Sequence, residues 1–305
     1  MSLSVLASTF VNNILPILLI GGAGFALGKT LHVEARSLGR VVFYVFSPVL
    51  IFNLLLQNHL KLNDAIGVIV LTVCIIAIMG LLTYLLGTFF KLERPVLTAI
   101  LITTMFGNTG NYGLPLVAFA FGDQALSYAG IFFVTTTLLF YTLGVLIASL
   151  GQMSVKDAFL GLFKIPTLYA VLLAVLMNAY GVQLPGPVAR AVDLAAGGTI
   201  PLMLVILGLE LSRVQLDGSR RAMQLSVVLR LVVAPLIALL LTGLFGIHGA
   251  ARQGSVTEAA MPSMVSSTVL ATEYQLDSKL VTAVVFISTL LSPLTLTPLL
   301  VFLGK

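Results

Sequence analysis

The sequence predicts an all-helical polytopic membrane protein of ten spans, arranged as two inverted repeats of five. Three observations predict it. Apolar residues make up 59% of the 305-residue chain and charged residues only 9%, with a mean hydropathy of +1.11; a soluble domain carries roughly 25% charged residues. The apolar runs are long, since residues 65–90 hold no charge across 26 positions and about 20 apolar residues span a bilayer. Single prolines also recur inside the apolar runs at nearly constant spacing. Pro48 in FSPVLIF and Pro201 in TIPLMLV lie 153 residues apart, and Pro115 in YGLPLVA and Pro262 in AAMPSMV lie 147 apart. The ~10-residue alternation of apolar and polar residues that marks an outer-membrane barrel is absent from these runs.

The ten expected spans are 9–28, 37–57, 64–90, 95–121, 125–149, 165–181, 188–211, 221–246, 252–273 and 279–303. No Lys or Arg precedes the first run, which reads as an uncleaved span. An odd number of spans per unit inserts the second copy upside down. The units are 1–150 and 165–305, joined by a short linker, 151–164. Placing the N-terminus outside puts Lys29, Arg36, Arg40, Lys91, Arg94, Lys156, Lys164, Arg213, Arg220, Arg221 and Lys279 inside, against Lys61, Arg190, Arg252 and Lys305 outside. That bias predicts both termini outside, and it explains the net charge of +5 without a nucleic-acid partner. Cys74, the one cysteine, lies within a span and reads as packing. His32, His59 and His248 fall in separate loops and offer no metal spacing. GGAG at 21–24 reads as close packing between helices.

The segment GNTGNYGLP (107–115) interrupts the fourth span where it is deepest. PVLTAILITTMF ahead of it gives ~18 Å of helix, enough to reach mid-membrane. Its glycines admit torsions that other residues resist. Pro115 lacks an N–H and suits the first turn of a new helix. Span 9 repeats the design around Pro262. Unwound backbone at membrane depth is tolerated where protein or a water-filled cavity surrounds it, and half-helix N-termini meeting there favour an anion. The competing reading is a kinked, glycine-lined packing helix. Two charges are intramembrane. Arg230 lies ~16 Å into span 8, and Glu258 lies one turn before Pro262. Either Arg230 binds a substrate carboxylate while Glu258 carries a proton or helps hold a cation, or the two form a structural ion pair. Asp193 with Arg190 and Glu210 with Arg213 read as interfacial pairs on helix faces, and Asp64 as a helix-start residue.

The segment GNTGNYGLPL, its partner AAMPSMVSSTVLATEYQLD and the ten spans in two inverted fives resemble the auxin efflux carrier family, whose bacterial members include carriers associated with malonate and malate. The long central loop of many plant members is missing here. The resemblance covers essentially the whole chain. It implies a fold shared with bile-acid symporters and sodium–proton antiporters. Spans 1, 2, 6 and 7 would form a scaffold, often dimeric, and the remaining spans an elevator-like moving domain in the inner membrane. It places the substrate site at the crossing of spans 4 and 9. There Asn108, Asn111, Tyr112, Gly113 and Pro115 face Pro262, with Ser263, Ser266 and Ser267 as lining candidates. The expectation is a secondary carrier of small organic anions, coupled to H+ or Na+ or to neither, and using no cofactor.

Three other classes compete with this expectation. An intramembrane enzyme lacks its motifs, since HExxH and GxSxG are absent and no paired intramembrane aspartates occur. An anion-selective channel or uncoupled facilitator could also use half-helix N-termini. A sensor would carry a signalling domain, and none is visible.

Overall fold

Proline and glycine positions decide where the helices widen, bend and stop. The computed structural model describes residues 2–58, 60, 62–149, 160–213 and 219–304. Residues 151–159 of the expected linker, along with His59, Lys61, Lys156 and Lys305, lie outside the described residues. Seven helices among the described residues are long and apolar enough to cross a membrane. In chain order they are α1 (Leu3–Thr30), α2 (Ala35–Gln57), α3 (Asn63–Phe89), α5 (Thr109–Ala148), α7 (Gly186–Leu211), α8 (Arg220–Leu244) and α11 (Ser278–Leu303). Shorter helices stand between them: α4 (Arg94–Met105), α6 (Pro166–Tyr180), α9 (Gly249–Ala259) and α10 (Ser266–Glu273).

Seven is fewer than the ten expected spans, and the sequence shows why. Expected spans 4 and 9 are divided at 106–108 and 260–265 into pieces too short to cross alone. Helix α5 runs through the expected boundary between spans 4 and 5. It bends there at Gly122, whose φ of 74° is a left-handed torsion that favours glycine. Expected span 6 is α6, with 15 residues.

Among the described residues, wide π turns occupy Phe10–Ile14, Val42–Phe46, Thr109–Gly113, Phe140–Gly144 and Leu229–Val233. All but Phe140–Gly144 end two residues before a proline: Pro16, Pro48, Pro115 and Pro235. A proline ring collides with the carbonyl four residues back and brings no N–H. The ladder ahead of it therefore widens by one residue. In each case the residue before the proline donates to the carbonyl five back, as Leu114 does to Thr109.

Helix α7 packs on α1 and α2, α6 on α2, and α9 on the second half of α5. The α1–α7 crossing is the closest. A Cβ at Gly24 would strike the Val205 carbonyl, and one at Gly208 would strike the backbone of Gly21 and Phe25, whereas one at Gly21 would make only an ordinary contact with the Leu204 carbonyl, so the small-residue reading of 21–24 holds at Gly24. Gly208→Val is expected to destabilise the fold by about 1–3 kcal/mol, the usual cost of overpacking. A lowered apparent Tm of the purified variant checks this, and an unchanged Tm would mean that the two helices can separate freely.

Candidate functional site

The two interruptions satisfy each other. Residues 106–108 and 262–264 run antiparallel as a short bridge between Gly107 and Ser263. Asn108 N–H donates to the Pro262 carbonyl at 2.7 Å, and Met264 N–H donates to the Phe106 carbonyl at 3.0 Å. These two bonds pair part of the backbone released by glycine and proline at each break, as a nonpolar surrounding demands.

Four helix ends meet at this crossing, and the structure sorts them. The C-termini of α4 and α9 share Arg230. Its Nε donates to the Met261 carbonyl at 2.7 Å and its Nη1 to the Thr104 carbonyl at 3.3 Å. The guanidinium is only 2% exposed and lies against Gly107, where a Cβ would collide with it. A cation on two helix C-termini complements both dipoles and their unpaired carbonyls. Glu258 lies on the same side of the crossing, packed on Gly113, where again a Cβ would collide. It is fully buried, and neither of its oxygens has a hydrogen-bond partner. Arg230 therefore spends these two donors on backbone carbonyls, and its relation to Glu258 is through space.

The N-terminal ends of α5 and α10 face the other way, onto a cavity of about 560 Å³. Asn108, Gly110 and Asn111 from the first break and Met264, Val265 and Ser266 from the second line it. The walls carry Phe43, Tyr44, Phe133, Phe140 and Tyr141, and Arg36, Arg40 and Lys164, all exposed, line it as well. Two buried polar groups on this lining have no partner, the Asn108 side-chain amide nitrogen and the Thr137 hydroxyl. The Asn111 amide contacts Glu210 Oε2 at 3.5 Å, a long hydrogen bond reaching across to α7.

Of the residues the sequence nominates, the crossing brings Asn108, Asn111 and Ser266 onto the cavity lining. The others build the crossing itself. Tyr112 is buried and takes a hydrogen bond from the Ser292 hydroxyl at 3.1 Å. Gly113 makes room for Glu258 and Pro115 opens the following helix, while Pro262 contributes its carbonyl. Ser263 donates its hydroxyl to the Thr103 carbonyl at 2.8 Å and its backbone N–H to the Ser288 hydroxyl oxygen at 3.1 Å, and Ser267 reaches the Ile102 carbonyl at 3.5 Å.

Sequence reasoning passed over Glu210. It treated the residue as a partner for Arg213, whereas Arg213 donates to the Val33 carbonyl at 3.2 Å and Glu210 lines the cavity. The signal was a carboxylate inside the last turn of an apolar helix. Arg36, Arg40 and Lys164 entered only as topology markers, and their convergence on one cavity needed the folded chain. Asp193, read with Arg190, takes a hydrogen bond from Gln57 at 2.9 Å.

Long apolar helices, two interrupted segments crossed by backbone hydrogen bonds and a cavity ending on the crossing define a polytopic membrane protein of the transporter class. Residues 9–300 match the family described as "Membrane transport protein", and the chain belongs to that family, the auxin efflux carrier family its motifs resemble. It is similar to an uncharacterized transporter of Methanothermobacter thermautotrophicus, 31% identical over 292 residues that cover 94% of this chain and 95% of the relative. An uncharacterized transporter of Methanocaldococcus jannaschii is 29% identical over 296 residues, covering 93% and 94%.

Proposed function

We propose that the protein is a secondary carrier of small organic anions, taking one solute at a time at the crossing by alternating access. The observation that carries this reading is the stretch of the cavity lining that the two breaks supply. Two helix N-termini and the unpartnered Asn108 amide converge there, and Arg36, Arg40 and Lys164 line the same cavity. Free N–H groups and the positive ends of helices favour an anion, and a cation-lined cleft concentrates anions. In this reading Asn108 and Asn111 hold the carboxylate, and Ser266 lines the site. Arg230 and Glu258 hold the crossing together by charge balance.

The ten-pass inverted topology, with both termini outside, belongs to the same proposal. It is supported by the proline spacing and by the matching contacts of α1 on α7 and α6 on α2. Those four helices would be the scaffold and the dimer-forming part, and the remainder would be the elevator-like mobile body. The membrane would be the bacterial inner membrane.

Uptake by proteoliposomes tests the function, with malonate, malate and indole-3-acetate offered under imposed proton or sodium gradients. Saturable uptake is expected for at least one acid, and the gradient that accelerates it names the coupling ion. Silence across the panel from folded protein would end the organic-anion reading. Uptake at rates that do not saturate would favour a channel. Replacing Arg40 and Lys164 together by Gln is expected to slow uptake about tenfold at low ionic strength, with the difference shrinking as salt screens the cleft. Equal rates at low salt would remove these cations from the entry path.

A further inference from the structure

One carboxylate already stands where the solute's carboxylate is proposed to bind. Glu210 lies in the last turn of α7, lines the cavity, and meets the same Asn111 amide that is assigned to the solute. Its own helix offers it no donor there, because the free groups at a helix C-terminus are carbonyls. Arg213, three residues on, is turned to Val33. Across the cavity, α2 presents Arg36, Arg40 and the phenol of Tyr44, the residues before α6 present Lys164, and α5 presents the phenol of Tyr141. On α1, which packs against α7, the Lys29 ammonium sits over the Phe25 ring at 5.8 Å. Arg230 and Glu258 are grouped at the other helix ends, against Gly107 and Gly113. The Asn111 contact, at 3.5 Å, is long enough to be exchanged readily.

Resting on the proposed anion function, we infer that Glu210 is the proton site of the carrier, so that one organic anion and one proton bind together. Two ionised carboxylates converging on one amide in a confined site repel each other, and such pairs hold a shared proton. The exchange balances. A proton from hydronium bonds to Oε2 of Glu210 as its O–H bond in hydronium breaks and water leaves, and the Asn111 N–H passes from Glu210 to the entering carboxylate. The site carries one negative charge before binding, on Glu210, and one after, on the solute. The scaffold helix thereby releases its hold on the crossing only when a solute has taken its place. An anion alone would leave two charges on one donor, and a proton alone would leave the amide on the weaker, neutral acceptor of a protonated carboxyl.

Calorimetric titration of the purified full-length protein tests this, using acetate, lactate, malonate, malate and indole-3-acetate in buffers of different ionisation enthalpy. Titrated on the alkaline side of the Glu210 titration, the wild type is expected to take up about one proton per bound anion, with affinity falling about tenfold per pH unit there. Glu210→Gln is expected to bind the same acid with no proton uptake and a flat pH profile. Wild-type binding without proton uptake overturns the proposal without need of any variant. So does uptake that persists in Glu210→Gln, or that is lost only in Glu258→Gln. Folded wild type that binds none of the acids overturns the organic-anion reading and this proposal with it, whereas binding without a proton overturns this proposal alone.

Discussion

Arg230→Met is expected to lower stability by about 3–5 kcal/mol, the largest single effect among these side chains. Removing one member of a buried charge set leaves the rest uncompensated. Here that means the carbonyls of Thr104 and Met261 without their charged donor, and Glu258 buried without its opposite charge. Arg230→Lys keeps the charge but gives up the planar fork that serves two carbonyls at once, so it should fall between Met and the wild type. If the two charges balance each other through space, adding Glu258→Gln to Arg230→Met should recover about 0.5–3 kcal/mol. Heating in the presence of a thiol-reactive dye, with Cys74 as the single thiol of the chain, follows unfolding in each variant. A Met variant that melts like the wild type would show that the crossing stands without its guanidinium. At matched expression, Arg230→Ala should also depress transport far more than Arg252→Ala, because the Arg252 guanidinium lies over the Phe302 ring, away from the cavity.

Asn111→Ala is expected to weaken anion binding roughly ten- to hundredfold while the protein stays folded. A hydrogen bond to a charged group contributes about 1.5–3 kcal/mol, which spans that range of affinity. The side chain is half-exposed on the cavity lining, and among the described residues it makes the long hydrogen bond to Glu210. Truncation therefore removes a donor from the solute without opening the core. Asn108→Ala should do the same to binding with a larger stability cost, since Asn108 is buried at the bridge. Unchanged affinity in a monodisperse Asn111→Ala protein would take the residue out of the site.

How much of this was legible in the sequence depended on range. Helices were readable because uncharged runs of 20 or more residues leave little alternative in a membrane. The breaks at 107–115 and around Pro262 were readable because glycine and proline act locally on the backbone. The division of labour at the crossing was not. Nothing local separates Ser266, on the cavity, from Ser263 and Ser267, which serve carbonyls of α4. Arg230 offered two uses, and only three-dimensional proximity to Thr104 and Met261 distinguishes a clamp on helix ends from a solute ligand. Glu210 was hidden by Arg213, a sequence neighbour with the right charge and spacing that points elsewhere. The topology cations were legible as a sign pattern, but their gathering at one cavity depends on how α2 and the chain before α6 pack.

The bridge between Gly107 and Ser263 also sets a limit on genetics. Its two hydrogen bonds run from main chain to main chain, so no ordinary exchange of side chains deletes either one. A scan to alanine would pass through residues 106–108 and 262–264 and report only what their side chains do, leaving the joint that couples the two halves of the chain unscored. Proline is the coded residue that lacks the donor, so Met264→Pro probes the joint directly, as would an ester in place of the amide at Asn108. Tolerance of alanine at these positions would therefore say nothing about whether the joint matters, and variation among homologues there would be equally uninformative about it.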